Sequence, residues 1–394
     1  MTTSTASTAE VYYDPYDLEL NKDPYPMFAR IREEAPLYYN STHDFYALSR
    51  YDDVNRGLID WETFSSARGA ILEIIKSGME IPSGTLIFED PPIHNIHRNL
   101  LSRMFTPRKV LALEPQIREF TASCLDPVVG TGKFDFVQDL GEQMPMRVIG
   151  MLLGIPEEHQ RHITDHGEAT LQKEKVDALA TGEVFAEFID YRLKNPSDDI
   201  MTELLNAEFE DETGTLRKLG REELLLYLTV IATAGAETTT RLIGWSGKLL
   251  GEHPDQRAQL AADPSLIPAA VEEVLRMEPP ALQVARYVTR DVEYYGQTVP
   301  EGNVMMFLLA AANRDHSRWP NGDNFDIHRE TKAHITFGAG THFCMGNALA
   351  RLEGKIALEE ILKRFPEWEV DYAGAKMSPT TAVRGWESMP TRIS

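Results

Sequence analysis

The chain has 394 residues, a formal net charge of −22 at pH 7 and two cysteines, Cys124 and Cys344. This charge argues against nucleic acid as a partner, because phosphates would be repelled, and two cysteines in so long a chain indicate a reducing, cytoplasmic compartment without disulfides. No stretch approaches the ~18 apolar residues of a membrane-spanning helix, and the Thr/Ser-rich start, about residues 1–12, is predicted to be disordered rather than a signal peptide or membrane anchor.

Hydrophobic periodicity predicts a mostly helical chain. In chain order, the predicted helices cover residues 24–34, 51–58, 61–65, 92–105, 109–128, 139–153, 157–171, 176–193, 221–252, 264–277 and 347–363. Short strands are predicted at 37–39, 45–48, 285–289, 292–295 and 304–308, with extended pieces after residue 368. Residues 67–89 are irregular, which is typical of a functional or mobile segment. The fold class is therefore mainly α with a minor β region, and residues 1–394 are predicted to form a single domain because no linker composition interrupts them.

The longest helical pattern, residues 221–252, would span nearly ~50 Å at ~1.5 Å per residue, so we expect a central buried helix. The sequence Ala-Gly-Ala-Glu-Thr interrupts it from Ala234 to Thr238. Small side chains at Ala234 and Gly235 leave space beside the helix, and the Thr238 hydroxyl can bond back to a carbonyl and loosen the turn. A patch of small residues for close helix packing is the competing interpretation.

The most informative segment, F-G-A-G-T-H-F-C-M-G, covers residues 337–346, directly before the last predicted helix. A Cys344 thiolate at this position would meet backbone N–H groups and the positive end of the helix dipole. The glycines at 338, 340 and 346 let the backbone turn tightly and approach a large flat group. Such a setting suits a soft axial ligand of a haem iron. The competing interpretation is a buried structural cysteine, which is how we interpret Cys124.

Two pairs of residues have the spacing to act together on a helix. Glu273 and Arg276, at i and i+3, can form an ion pair on one face. His94 and Arg98, at i and i+4, can both reach one anion. Each pair alone could be an ordinary salt bridge, and His97 is interpreted as a solvated or structural histidine.

These motifs, in this order, resemble the signatures of the cytochrome P450 family in its soluble bacterial form. The matches are F-G-x-G-x-H-x-C-x-G at 337–346, E-x-x-R at 273–276, [AG]-G-x-[DE]-T at 234–238 and H-x-x-x-R at 94–98. The resemblance spans nearly the whole chain and implies the cytochrome P450 fold, with the long helix crossing the distal face of a haem b. It further implies that Cys344 is the iron ligand and that the E-x-x-R pair is structural.

The resemblance also implies which residues surround the cofactor. The implied haem-binding residues are His94, Arg98, Ala234, Gly235, Arg286, Phe337, Gly338, His342, Cys344 and Gly346. Among them, the cationic set of two histidines and two arginines would bind the two propionates. Glu237 and Thr238 would be catalytic, delivering protons while O2 is activated.

The implied reaction is monooxygenation, in which O2, two electrons and two protons convert R–H into R–OH and water. The Cys344 thiolate would push electron density towards the iron. The substrate would lie in an apolar pocket, beneath a lid formed by residues 67–89 and helices near 165–190. Its expected lining residues are Val230, Thr233, Ala234, Leu282 and Val284. No paired cation or carboxylate marks a polar substrate, so we expect a hydrophobic small molecule such as a terpenoid, steroid or fatty acid.

Electrons would come from a separate ferredoxin and ferredoxin reductase, because no flavin or iron–sulfur domain is fused to this chain, which we expect to be a monomer. Four basic residues are expected near the cysteine side and could dock an acidic ferredoxin, or could be scattered surface charges; they are Arg103, Arg108, Lys109 and Arg351. Three rival functions remain at this point: a haem-thiolate ligand sensor or carrier, a peroxygenase, and a helical binding protein without haem.

Overall fold

The computed structural model describes residues 11–82, 84–155, 178–331 and 333–393, with side chains from residue 185 onward in the third range. The predicted helix at 157–171 and most of the start predicted to be disordered lie outside these ranges. The α-helices are Leu18–Lys22, Tyr25–Glu34, Tyr51–Ile59, Leu72–Ser77, Ile93–Ser102, Pro107–Ala112, Glu114–Leu125, Met144–Leu152, Ala178–Lys194, Ile200–Asn206, Arg221–Glu252, Pro254–Ala262, Ile267–Met277, Leu309–Ala312 and Asn347–Arg364. Short 3-10 turns cover Leu86–Phe88, Asp126–Val128, Pro264–Leu266 and Gly340–His342, and a π-helical turn covers Phe136–Gly141.

The β region is built from one larger sheet and several small ones. The five-stranded sheet has the order Leu37–Asn40, Phe45–Leu48, Val304–Phe307, Val284–Val288 and Phe64–Ser65. Its second and third strands are parallel, and the other neighbours are antiparallel. A three-stranded sheet has the order Trp368–Val370, Pro390–Ile393 and Lys133–Asp135. Two-stranded pairs join Glu208–Glu210 to Leu216–Lys218, Val292–Tyr294 to Gln297–Val299, and Lys376–Met377 to Trp386–Ser388.

The helix Arg221–Glu252, called the central helix below, is 32 residues long and lies in the largest hydrophobic core. Its first turn is closed by the Glu223 carboxylate, which accepts the Gly220 N–H at 2.7 Å. Further along, Gly247 lies against the Phe136 ring, where a Cβ would stand 2.5 Å from the ring. The helix therefore runs through the interior, with neighbouring elements packed closely against it. None of the helices in the described ranges combines the length and apolar character needed to span a membrane.

The expectation of a mainly α fold with a minor β region is confirmed, with local corrections. The helix predicted at 61–65 is wrong: Asp60 accepts the N–H groups of Thr63 and Phe64, which turns the chain, and Phe64 then pairs with Val288 as a strand. The helix predicted at 109–128 is divided near Leu113, because Pro115 favours the first turn of a new helix.

Candidate functional site

The segment 337–346, called the cysteine loop below, is a tightly bonded turn. Gly338 and Gly340 have positive φ angles of 70° and 67°, which favour glycine. The Cys344 N–H donates to the Phe337 carbonyl at 2.8 Å, and the Asn347 side chain donates to the Cys344 carbonyl at 2.7 Å. The loop therefore holds the Cys344 side chain just before the helix Asn347–Arg364.

The surroundings of the Cys344 sulfur have opposing effects on the pKa of its thiol. Burial raises the pKa of the thiol, whereas the backbone N–H of Gly346 and the positive charges of Arg98 and Arg351 oppose that rise. The position of a Cβ on Gly346 would lie 4.0 Å from Sγ, so the sulfur sits above this glycine. A metal ion at the sulfur would hold the thiolate form, as metal coordination deprotonates thiols.

Four donor side chains from distant parts of the chain form a group, called the cation cluster below: His94, Arg98, Arg286 and His342. His94 is fully buried, and Arg286 is 6% exposed. The His94 and His342 rings lie 4.3 Å apart between centroids. Neither ring nitrogen of His94 nor Nε2 of His342 makes a well-formed hydrogen bond within the described residues.

Burial disfavours the charged forms of the side chains in the cation cluster. Burial lowers the pKa of His342 to about 3, with the positive charge of Arg286 as the next cause. Burial likewise lowers the pKa of Arg286 to about 10 and lowers the pKa values of His94 and Arg98. Buried donors without acceptors are costly, and bound carboxylates would satisfy both their hydrogen bonds and their charge. The cluster thus fits the two propionates of a haem b.

Arg98 also links two elements of the site. Its guanidinium donates to the Phe343 carbonyl, so the helix Ile93–Ser102 is tied to the cysteine loop. The loop is fastened on its other side by Thr336, whose hydroxyl donates to the Leu275 carbonyl at 2.7 Å. Leu275 lies between Glu273 and Arg276, whose fully buried ion pair has an Nε–Oε2 distance of 2.7 Å. This pair therefore belongs to the support of the loop.

The middle of the central helix has one open side. Thr233 and Ala234 are exposed, whereas a Cβ on Gly235 would stand 2.6 Å from the Ile149 side chain. Close packing therefore accounts for Gly235, and open space lies at Ala234. The Thr238 hydroxyl donates to the Ala234 carbonyl at 2.8 Å, which is the back-bond that the sequence suggested.

The carboxylate of Glu237 is engaged by a residue one turn later. Arg241 Nη2 lies 3.0 Å from Glu237 Oε1, and both side chains are mostly buried. The same guanidinium donates to the Trp386 carbonyl and to the Ser378 hydroxyl. Glu237 is thus held towards the C-terminal strand pair Lys376–Met377 and Trp386–Ser388.

The expected lining residues fall into two environments. Val230 and Val284 are half-buried, and Thr233 and Ala234 are exposed, as residues beside an open space would be. Leu282 is only 1% exposed and belongs to the second hydrophobic cluster, which contains Phe28 and Tyr38, so its side chain packs in the core. The lid helices expected near 165–190 lie largely outside the described residues.

Glu353 is a site residue that the sequence analysis missed. Its side chain is 2% exposed, Oε1 makes no hydrogen bond within the described residues, and Oε2 lies 3.4 Å from the Thr239 hydroxyl. Burial raises its pKa well above the ordinary value. The available signal was helical spacing, because Leu349 and Ala357, four residues before and after it, place Glu353 on an apolar face.

The four basic residues expected on the cysteine side differ in their availability. Arg103 and Arg108 are exposed and have no ion-pair partner among the described residues. Lys109 pairs with Glu203 at 2.7 Å. Arg351 donates to Glu272 and lies 4.4 Å over the Phe337 ring. Two of the four charges are therefore already engaged.

Comparisons with known proteins point in one direction. Residues 263–383 match the family model for cytochrome P450. A vitamin D(3) 25-hydroxylase of Pseudonocardia autotrophica is 33% identical over 398 residues, covering 98% of this chain and 98% of that protein. Among solved structures, cytochrome P450 CYP109Q5 of Chondromyces apiculatus has a TM-score of 0.88 and 35% identity over 97% of this chain and 98% of its own. CYP109E1 of Bacillus megaterium, in complex with testosterone, has a TM-score of 0.84 and 30% identity, covering 94% and 99%.

Proposed function

The chain belongs to the cytochrome P450 family of haem b monooxygenases, and from this premise we propose that it hydroxylates a hydrophobic small molecule with electrons from a separate ferredoxin and ferredoxin reductase. The observation that carries the proposal is the cation cluster beside Cys344, in which both ring nitrogens of His94 and Nε2 of His342 are buried without a hydrogen-bond partner among the described residues. A helical binding protein without haem would have no use for such a cluster, because unsatisfied buried donors destabilise a fold.

When bound, haem b supplies the binding and reductive activation of O2. In our proposal, Cys344 Sγ holds the iron, and the cation cluster holds the propionates. Backbone at Phe337, Gly338 and Gly346 lets the cofactor approach closely, since two of these positions carry no side chain. Ala234 and Gly235 border the opposite face.

Proton delivery is the proposed task of Thr238 and Glu237. The Thr238 hydroxyl donates its single hydrogen to the Ala234 carbonyl, so its lone pairs are free to accept a hydrogen bond, and it must turn away from that carbonyl to pass a proton on. Glu237 forms an ion pair with Arg241 and must move away from that partner to carry a proton inward. This acid–alcohol pair favours a monooxygenase over a ligand carrier or a peroxygenase, neither of which needs such a relay.

The substrate class rests on the apolar surroundings and on the relatives. Val230, on the central helix near the exposed Thr233 and Ala234, and Val284 are half-buried apolar residues that would line the pocket. One relative is named for vitamin D3, and one similar structure contains testosterone; both are rigid, hydrophobic molecules. A steroid-like compound is therefore the first choice within the wider group of terpenoids, steroids and fatty acids.

The family chemistry is tested at the cysteine. Cys344→Ser should abolish the thiolate-type absorption of the reduced CO complex, whereas Cys124→Ser, at the other cysteine, should leave it intact. An unchanged spectrum in Cys344→Ser would remove Cys344 as the ligand.

Thr238→Ala should retain haem but divert electrons from product to peroxide or water, measured as product formed per NADH consumed. Full coupling in that variant would take Thr238 out of the proton path.

Ferredoxin docking is proposed at the exposed pair Arg103 and Arg108, with Lys109 contributing if it releases Glu203. Charge reversal at Arg108 and Lys109 together should slow reduction by the ferredoxin at low ionic strength. Charge reversal at the exposed Lys376, on the C-terminal strand pair, is the matched control and should have little effect. Equal rates for both variants would mean that these are scattered surface charges.

A further inference from the structure

We propose that the buried pair Glu89–His97 is a latch that positions residues 84–89, called the latch segment below, and limits how fast small molecules enter the distal pocket. The pair is separate from the proposed haem ligands, the proton relay and the redox surface. It goes beyond the proposed function, because it concerns access to the pocket and not the reaction or the substrate class.

The pair is unusually buried for two titratable side chains. His97 is 1% exposed and Glu89 is 8% exposed, and His97 Nδ1 lies 2.7 Å from Glu89 Oε2. The other carboxylate oxygen, Oε1, accepts the backbone N–H of Gly84 at 2.7 Å. One carboxylate therefore joins the helix Ile93–Ser102 to the beginning of the latch segment, and buried charges are kept only where they are paired in this way.

The latch segment lies between the central helix and the cation cluster. A Cβ on Gly84 would stand 3.7 Å from Glu223 and 3.8 Å from Leu226, both near the start of the central helix. Leu226 is one turn before Val230, which borders the open side. At the other end, the backbone of Glu89 faces the ring of His342 in the cation cluster. The latch segment therefore connects the start of the central helix to the cation cluster.

The surroundings of the pair explain why it would act as a unit. The His97 ring packs against the rings of Phe209 and Tyr227, with centroids 6.2 and 5.9 Å away. The Tyr227 hydroxyl is buried and makes no hydrogen bond to either partner within the described residues. If His97 can no longer bind it, Glu89 Oε2 loses its side-chain partner in a buried site, and the side chain would move towards water. Such a movement would carry the Gly84 end of the latch segment with it.

The test measures imidazole binding to the ferric holoenzyme by stopped-flow absorbance, because imidazole must enter the distal pocket to reach the iron. In His97→Leu, the association and dissociation rate constants should both rise about tenfold, as expected when a buried hydrogen bond no longer opposes opening. The dissociation constant should change much less than either rate. Glu80→Gln, an exposed acid just before the latch segment, is the matched control and should behave as the wild type.

Two further variants separate a latch from a simple support of the fold. His97→Gln can still donate an N–H to Glu89 and should restore most of the slow binding. Hydrogen exchange of the Gly84 amide should be faster in His97→Leu and close to the wild type in His97→Gln. Unchanged imidazole rates in His97→Leu would overturn the latch, as would identical rates in the Leu and Gln variants. If His97→Leu does not fold, Glu89→Met, which can bind neither His97 nor the Gly84 N–H, decides: both rate constants should rise, and unchanged rates overturn the proposal.

Discussion

Two buried groups of charged side chains flank the cysteine loop, and they differ in whether their hydrogen bonds are complete. In the first, Arg276 binds both oxygens of Glu273 and donates to the carbonyls of Asn313 and Gly322, each at 2.7 Å. Glu273 in turn accepts the backbone N–H of Asp326 at 3.0 Å. Both side chains of the pair are 0% exposed, so this group is closed and satisfied by protein atoms alone.

The cation cluster has the opposite character. Its histidine rings lie against each other at a tilt, both ring nitrogens of His94 and Nε2 of His342 lack partners among the described residues, and Arg286 donates to the carbonyl of its neighbour Ala285. Arg98 and Arg286 add their positive charges, and among the described residues neither forms a salt bridge with a carboxylate. A native fold satisfies nearly all its buried polar groups, so an incomplete set marks the place of a ligand, whereas a complete set marks a scaffold.

The largest effect should follow from breaking the group around Glu273 and Arg276, called the complete group below. Arg276→Met leaves the buried Glu273 carboxylate with only the Arg329 guanidinium, at the edge of the group, as a counter-charge, which should cost ~3–5 kcal/mol of unfolding free energy. Because the carbonyls of the segment at 313–324 also lose their donor, the cysteine loop should be released and haem retention should fall. Denaturant unfolding and the haem content of the purified protein measure both effects. Arg329→Met, whose Nε lies 3.2 Å from the same carboxylate at the edge of the group, should cost much less. Equal losses in the two variants would contradict the distinction.

The hydrogen bonding of Glu353 is intermediate between that of the two groups. Oε2 has one weak partner, and Oε1 has none among the described residues. Its folded-state pKa lies well above 4.5, so above that pH the unfolded chain loses a proton that the folded protein keeps. Stability should therefore fall as pH rises, and Glu353→Gln should remove this dependence.

The variant should be more stable than the wild type at pH 7 and equal to it near pH 4.5, as judged by denaturant unfolding of the holoprotein. Glu367→Gln, at an exposed position, should leave the pH dependence unchanged. Parallel curves for the wild type and Glu353→Gln would show that the Glu353 carboxyl is ionised in the fold.

The complete group could be predicted from sequence because its partners are neighbours on one helix. The spacing of Glu273 and Arg276 is sufficient to bring the two side chains together. The same holds for the Thr238 back-bond, which involves residues four apart. The central helix was predicted from residue 221 to residue 252 because its apolar pattern is long and uninterrupted by proline.

Contacts between distant segments could not be predicted in this way. The contact between the His94 and His342 rings joins residues far apart in the chain. Before the structure, only the family resemblance indicated that they lie close together. Glu89 lies across a turn from His97, and helical spacing cannot show that their carboxylate and ring are buried together. Leu282 illustrates the same difficulty, because an apolar residue can face a pocket or the core with the same local pattern.

The smallest effect at neutral pH is expected for the cation cluster, which is the incomplete group. Its contribution to the free energy of unfolding should depend on pH, and this dependence distinguishes it from the complete group. The pKa of His342 is lowered from 6.5 in the unfolded chain to about 3 in the fold, so below pH 6.5 the unfolded chain binds a proton that the folded chain refuses. The apoprotein should therefore lose stability as pH falls from 6.5 towards 3, by up to ~1.4 kcal/mol per pH unit for each such histidine.

In His342→Gln, the apoprotein should be as stable as the wild type at pH 7 and should lose less stability at pH 5, with the remaining dependence due largely to His94. The exposed His328→Gln should keep the wild-type slope. In the holoprotein, propionate carboxylates would pair with the imidazolium, so the wild-type slope should flatten and His342→Gln should instead release haem faster to a haem-free acceptor protein. If the wild-type slope is the same with and without haem, the donors of the cation cluster do not face the propionates, and the incomplete group would need another ligand.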